Sequence, residues 1–474
     1  VPGDIGGFDD TAAHRPIDPA PTHHDYGYGG AGHGFADPAP VDSGGWFRDL
    51  ADAPTRTMAP IRFDPAPVVP NVPVASVVPV TRVASKAPPA EGGTSRAGSH
   101  RARRAEPFRI KTKRRRRRSL PAADPGTMRI TALVPAHNEE DQIGETIRSL
   151  FEQRRPPEKI IVIADNCGDR TVEIARGMGV EVYETVANEH KKAGGLNQVI
   201  DKILSNLGPS DAILVMDADS TLGPEFLSHG LERLATGKYG AVGGTFTGKP
   251  GGGFIGMLQR NEYARYVRDV ERLQGKALVL TGTATLFRAL TLQEVVAARR
   301  AGELPGAAHV YDTRVLTEDN ELTLAILHLG LRIVCPPKCT LMTEVMGTWS
   351  DLFKQRLRWK RGALENLTDY GWTHITRTYW GRQILSLIGL LVVMIYLGSL
   401  VLALILTGHV RIQPMWMVVT LIFSVERAVS VRKRGPLHMV LGALIVVEMA
   451  FDLYLQAAQA QAFWDAIRRK ERKW

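Results

Sequence analysis

Cysteine is nearly absent from this chain. Three in 474 residues, Cys167, Cys335 and Cys339, exclude a disulfide framework and fit a reducing compartment. Cys335 and Cys339 flank Pro-Pro-Lys with no histidine nearby, so free thiols are expected rather than a zinc site. No apolar stretch behind a basic one stands at the start, so no secretory signal is expected. Acid is scarce in one place above all: Glu106 alone interrupts the basic run "RARRAEPFRIKTKRRRRR" at 101–118. That run supplies much of the net charge of +10. A run of like charge repels itself and is expected to be unstructured. An anionic membrane surface suits it, at about 1 kcal/mol per Lys or Arg near the lipid. No nucleic-acid-binding fold follows it, and nucleic acid is not an expected partner.

Regular periodicity is also missing from the first hundred residues. Stretches such as "FDPAPVVPNVPVASVVPV" favour extended, polyproline-like chain, and residues 1–127 read as a disordered Pro/Ala/Gly-rich tail. From Met128 the pattern changes. "RITALVPA" (129–136), "KIIVIAD" (159–165), "VEVYET" (180–185) and "AILVMD" (212–217) are short buried strands. Helical stretches separate them, the first placing Ile143, Ile147, Leu150 and Phe151 on one face. Strands alternating with helices predict an α/β fold, a mostly parallel sheet covered on both faces. In such sheets ligands bind outside the carboxyl ends of the strands. "VPAHNEE", "ADNCGD" and "MDADS" all sit there.

Long apolar runs are confined to the last hundred residues. Residues 384–407 carry 24 residues without a charge, enough to span a bilayer. A second candidate span covers 414–431. A third segment, 437–463, places Glu448, Asp452, Gln456 and Gln459 on one stripe, as an interfacial helix or one facing other spans would. Basic residues at Lys360/Arg361/Arg382, Arg432–Arg434 and Arg468–Lys473 are all expected on the cytoplasmic side. Two full spans with a surface-lying last helix satisfy that rule better than three.

Asp217 and Asp219 end a strand one residue apart, and a buried carboxylate needs a cationic partner. A divalent cation, Mg²⁺ or Mn²⁺, commonly takes one or two carboxylates together with phosphate oxygens. A solvated loop carrying two acids is the plainer alternative.

The chain resembles the family-2 inverting glycosyltransferases of the GT-A, Rossmann-like fold. It is closest in pattern to the membrane-bound branch containing cellulose, hyaluronan and poly-N-acetylglucosamine synthases. The resemblance covers about 128–375. It rests on "VPAHNEE", Asp165, "HKKAGGLN" (190–197), "DAD" (217–219), "GTATLFR" (282–288), "TED" (317–319) and "QRLRW" (355–359). Two positions differ from the family's usual pattern: Ala164-Asp165 stands where it often has paired Asp, and Cys167-Gly168 where Gly-Ser is common. The resemblance implies that Pro135, Glu139 and Asp165 line the nucleotide base and ribose, with Lys192 near the same pocket. Asp217 and Asp219 hold the donor's diphosphate through Mg²⁺ or Mn²⁺, Asp219 being the direct ligand. Asp319, beside Glu318, is the catalytic base, and Gln355, Arg358 and Trp359 sit by the diphosphate and acceptor. Arg358 or Arg356 adds fixed positive charge to the leaving group.

The expected protein is a membrane-anchored, multi-pass transferase with its catalytic domain in the cytoplasm. It moves a sugar from a nucleotide-diphosphate donor, a UDP-sugar first, to a polysaccharide or lipid acceptor. A non-catalytic nucleotide-sugar-binding scaffold and a nucleotidyltransferase are the alternatives.

Overall fold

The computed structural model describes residues 117–409 and 414–468. The expected tail lies outside the described residues up to 116, and so does most of the basic run. Residues 117–127, assigned above to the tail, run along the folded domain. Leu120 is buried, and its N–H donates to the Gly237 carbonyl at 2.7 Å.

Seven strands form the main sheet, in the order β3-β2-β1-β4-β8-β6-β9. They are β1 (Ile130–Ala136), β2 (Lys159–Ala164), β3 (Glu181–Glu184), β4 (Ala212–Met216), β6 (Ala241–Gly243), β8 (Ala284–Arg288) and β9 (Ile333–Val334). The first four run parallel, as expected. Their apolar residues alternate between two cores because successive side chains leave opposite faces of a strand. Ile213 and Val215 enter one core with Ile161 and Ile163; Leu214 and Met216 enter the other with Val134 and Val162. Burial on both faces is why the sequence shows continuous apolar runs.

Helices α1 (Ile143–Phe151), α2 (Thr171–Gly177) and α4 (Phe226–Ala235) cover one face; α3 (Lys191–Ile203), α6 (Ala289–Arg300) and α7 (Glu318–His328) cover the other. Phe151 departs from expectation: it is 48% exposed, while Ile143, Ile147 and Leu150 are buried. It is the last residue of α1. Strand β8 runs antiparallel to both β4 and β6, which period-2 patterning does not predict. A second sheet, β5 (Thr221–Leu222), β10 (Thr340–Thr343) and β7 (Thr245–Gly248), sits beside the first.

Two long helices follow different faces of the site. Helix α5 spans Gly253–Arg272 and α8 spans Trp349–Tyr370. Thr348 caps α8 by accepting from the Asp351 N–H at 3.2 Å.

Helix α9, Thr376–Thr407, has a mean hydropathy of 2.8 in its most apolar window, with none of that window buried. Among the described residues it is the one unbroken helix long and apolar enough to cross a membrane. Helix α10 (Pro414–Ser430) has 17 residues. The third apolar segment is not one straight helix. It bends by 76° between α11 (Pro436–Ala443) and α12 (Ile445–Ile467). The bend lays α12 along α8, where Phe451 joins Leu352 and Leu258 in a small core. The polar stripe of α12 meets both the domain and the apolar helix before it: Glu448 pairs with Arg265 of α5 at 3.0 Å, and Asp452 with Arg427 of α10 at 2.7 Å.

Candidate active site

Strand order reverses direction between β1 and β4, and the crevice at such a switch point is where α/β sheets bind ligands. Asp217 follows β4 at that crevice. Because β8 is antiparallel, the loop entering it, Thr281–Thr283, reaches the same edge, and the Asp217 N–H donates to the Thr283 carbonyl at 3.2 Å. Thr146 of α1 clamps the acidic turn from below: its hydroxyl donates to the Ala218 carbonyl at 2.5 Å and lies 2.9 Å from the Ser220 carbonyl.

Above the turn lies a cleft of about 450 Å³, within the usual range for small-molecule sites. Of the residues singled out in the sequence, it brings together Lys192, Asp217, Asp219, Glu318, Asp319, Gln355, Arg358 and Trp359. Pro135, Glu139 and Asp165 do not line it; they stand at the neighbouring ends of β1 and β2. Asp165 is buried, and its Oδ1 accepts from Thr185 at 2.7 Å, Asn188 at 2.8 Å and Asn166 at 3.0 Å. Asn138 and Asn166 both adopt left-handed backbone, φ 55° and 52°, which asparagine tolerates better than most residues. They turn the chain sharply off the two strand ends. Glu139 links the two regions. Burial, followed by the charges of Asp219 and Glu344, pushes its carboxyl up to about 7.

Lys192, expected near the nucleotide pocket, lines the cleft with Asp217 and Glu318. It sits on the cleft floor, paired with Asp217 and with its Nζ 3.5 Å from Glu318. Its place follows from α3, whose second residue it is. Burial pushes the ammonium pKa down, but Asp217, Glu318 and Asp319 outweigh burial and hold it above the ordinary lysine range. Burial pushes Asp217 up to about 6 despite Lys192, with Asp219 adding to the rise. Asp219 is held on its Oδ1 by the Ser220 hydroxyl at 2.9 Å and the Thr343 hydroxyl at 3.4 Å.

Asp319 opens α7 and accepts from two backbone N–H groups, Gly282 on Oδ2 at 2.9 Å and Asn320 on Oδ1 at 2.7 Å. These bonds and Lys192 favour the charged form. Burial and neighbouring Glu318 win, and the carboxyl rises to about 6. The helix N-terminus alone would have lowered it.

The loop carrying Asp319 is fixed by α8. Asn366 Nδ2 donates to the Thr317 carbonyl and to Asn320 Oδ1, each at 3.1 Å. Gly362 faces Thr317 so closely that a Cβ there would lie 2.4 Å from its hydroxyl. One turn into α7, buried Glu321 accepts from Arg299 at 2.5 Å and from the Tyr370 hydroxyl at 2.6 Å.

Arg356 is not among the cleft residues. It is 3% exposed and pairs with Glu262 at 2.7 Å. Of the two arginines weighed for the leaving group, only Arg358 faces the cleft. Sequence reasoning missed Glu344, Tyr263 and Phe246, which also line it. They come from the residue after β10, from α5 and from β7 without a motif, and nothing local singles them out.

Five carboxylates, Asp217, Asp219, Glu318, Asp319 and Glu344, line the cleft against Lys192 and Arg358. A diphosphate entering such a site requires an accompanying cation. Among the described residues, no group of three or more His, Cys, Asp or Glu side chains is placed to hold a metal alone. Asp217 and Asp219 therefore fit a cation whose remaining ligands are phosphate oxygens and water.

A model of the family described as "Glycosyltransferase like family 2" matches residues 125–362. A poly-beta-1,6-N-acetyl-D-glucosamine synthase of Staphylococcus aureus (strain MSSA476) is 26% identical over 282 residues, 57% of this chain and 64% of that protein. The enzyme of that name from Staphylococcus epidermidis is 25% identical over 292 residues, 57% of this chain and 65% of that protein. The chain thus spans less than two thirds of these relatives' length. Among solved structures, a mannosyltransferase from Pyrobaculum calidifontis in complex with GDP-Man and Mn²⁺ aligns at 17% identity and TM-score 0.48, covering 73% of this chain and 91% of that one. Glucosyl-3-phosphoglycerate synthase from Mycobacterium tuberculosis in complex with Mn²⁺, UDP and phosphoglyceric acid aligns at 16% identity and TM-score 0.36, covering 53% and 84%.

Proposed function

The chain belongs to the glycosyltransferase-like family 2, and from that premise we propose that it transfers a sugar from a nucleotide-diphosphate donor to a carbohydrate acceptor at the membrane, inverting the anomeric centre. The observation that carries this reading is one cleft in which Asp319 shares a floor with Asp217 and Asp219 while Gln355, Arg358 and Trp359 form a wall. The activity named for the staphylococcal relatives makes UDP-N-acetylglucosamine the first donor to test and a β-1,6-linked N-acetylglucosamine chain the first acceptor.

Asp217 and Asp219 would hold Mg²⁺ or Mn²⁺. Bound there, the cation neutralises charge developing on the departing diphosphate. Arg358 adds fixed positive charge on the same side. Pro135, Glu139 and Asp165, at the adjoining strand ends, would take the base and ribose. Lys192 keeps Asp217 oriented and partly neutralised, which lowers the electrostatic barrier to an incoming anion. Asp319, with a carboxyl near 6, is ionised at neutral pH and accepts the proton of the attacking hydroxyl. Its two backbone N–H donors fix the carboxylate so that proton transfer needs no reorganisation. Glu318 keeps the potential around it negative. Trp359 offers an apolar face to a sugar ring.

The membrane arrangement is part of the proposal. Helix α9 leaves the domain and α10 returns to it, bringing Glu426 to Arg268 at 2.6 Å. Seventeen helical residues reach about 26 Å, close to the hydrocarbon thickness of about 30 Å. Two crossings put Arg382 and Arg432–Arg434 on one side, which the positive-inside rule makes cytoplasmic.

The test is nucleoside-diphosphate release by the detergent-solubilised protein with Mn²⁺ against UDP- and GDP-sugars, beside Asp319→Asn. Release from one donor, lost in the variant, is expected. Pyrophosphate in place of nucleoside diphosphate would identify a nucleotidyltransferase. Donor binding without release, unchanged by Asp319→Asn and by added acceptor, would identify a binding scaffold.

A further inference from the structure

Arg356 is buried beside the cleft rather than in it, yet it touches three residues of the cleft wall. Its Nη1 donates to Gln355 Oε1 at 2.7 Å. Its guanidinium carbon lies 4.4 Å from the centre of the Trp359 ring and 5.7 Å from that of Tyr263. Glu262, the neighbour of Tyr263 on α5, balances its charge through Nη2 at 2.7 Å.

Each contact has a directional consequence. An arginine offers donors only, so the atom of Gln355 facing it is the amide oxygen. The Gln355 NH₂ is thereby left to donate elsewhere. A guanidinium stacked on one face of Trp359 fixes the plane of the indole. Trp359 remains 37% exposed and lines the cleft. On the other side, Phe246 meets Tyr263 edge to face at 4.9 Å and stacks on Tyr266 at 5.1 Å. Arg356 therefore joins α8 to an aromatic wall built from α5 and β7. Buried ion pairs contribute little net stability against apolar replacements, so stability alone is a weak reason for an arginine here.

We propose that Arg356, neutralised by Glu262, is a positioning residue for the acceptor: it sets the Trp359 ring and the Gln355 amide as a preformed subsite for a sugar ring. The ring stacks on Trp359 and takes a hydrogen bond from Gln355. This rests on the transferase reading above. Donor recognition, at Asp217, Asp219 and the ends of β1 and β2, is independent of it.

The experiment titrates a short β-1,6-linked N-acetylglucosamine oligosaccharide at saturating donor, then donor at saturating oligosaccharide, following nucleoside-diphosphate release. Arg356→Met removes both hydrogen bonds and the charge; Arg356→Lys keeps the charge but has no fork to reach Gln355 and Glu262 together. We expect the acceptor KM to rise at least tenfold in both, with the donor KM and the affinity for UDP within twofold of wild type. Should Arg356→Met fail to fold, Arg356→Lys carries the same comparison. An acceptor KM within twofold of wild type, or equal rises in both KM values, overturns the positioning role. Release by the unmodified protein that ignores the oligosaccharide overturns the carbohydrate subsite. No release from any donor refutes the transferase reading itself.

Discussion

Gly362 is where α8 presses against Thr317, the residue that precedes α7 and Asp319, and alanine there tests whether that approach matters. The added Cβ would stand 2.4 Å from Thr317 Oγ1, 2.7 Å from its Cγ2 and 3.0 Å from its Cβ. An ordinary contact is about 3.5 Å, so the two segments must part by about 1 Å. Thr317 is buried and its carbonyl and hydroxyl both accept from Asn366, so rotating it away breaks a bond. Overpacking of this kind costs about 1–3 kcal/mol. In a domain of this size that lowers Tm by roughly 2–4 °C per kcal/mol. The larger effect falls on turnover, because a misplacement of about 1 Å between catalytic groups costs on the order of a hundredfold. The assay is kcat for nucleoside-diphosphate release with matched melting curves. Gly177→Ala, where a Cβ meets nothing within 4 Å, is the control and leaves both unchanged. A Gly362→Ala protein with kcat within threefold of wild type would refute the idea that α8 sets the position of Asp319.

Four further outcomes follow from the same geometry. Because the Asp319 carboxyl sits near 6 instead of its ordinary 3.8, kcat/KM should fall as pH drops through 6; a flat profile from pH 8 to 5 would remove Asp319 as the base. The same rise means that ionised Asp319 costs the folded state stability as pH climbs from about 4 to 6, so Asp319→Asn melts no lower than wild type at pH 7.5. Lys192→Met removes the ammonium that competes for Asp217, and Mn²⁺ alone should bind roughly tenfold more tightly at pH 8; unchanged or weaker binding in a Mn²⁺ titration contradicts this. Glu448→Gln leaves Arg265 and Arg427 without their shared carboxylate, 1% exposed, and should cost about 3 kcal/mol, seen as a lower Tm in detergent.

The parallel half of the sheet and its acidic strand ends were legible because local signals coincide there. Apolar runs of the right length gave β1 to β4, and the helices between them left only a parallel arrangement. Strand β8 was not legible as antiparallel, since direction depends on where the chain returns from. The break near Leu444 was equally hidden: the residues around it, from Val440 to Val447, are apolar or glycine, and no local signal marks the bend. Site residues in motifs could be named in advance. Their grouping could not, and Lys192 shows it, because the residue belonging to a conspicuous motif stands among carboxylates contributed by β4 and α7. Glu344, Tyr263 and Arg356 owe their importance to neighbours distant in sequence, and no pattern near them marks it.

The junction between α8 and α9 sets the height at which chemistry takes place. Six residues after Gly371 begins the turn, Arg377 is already in α9, and the first turns of that helix are bolted to the domain. The Tyr379 hydroxyl donates to the Leu278 carbonyl at 2.6 Å and Trp380 Nε1 to the Gly371 carbonyl at 3.3 Å. With the bilayer around 384–407, the eight residues 376–383 make a stem of about 12 Å. The stem is stiff, since it is helical and braced by tyrosine and tryptophan. Under the function proposed above, a head mounted in this way would meet its acceptor at a fixed altitude above the lipid, and the membrane surface would serve as a ruler for the reaction.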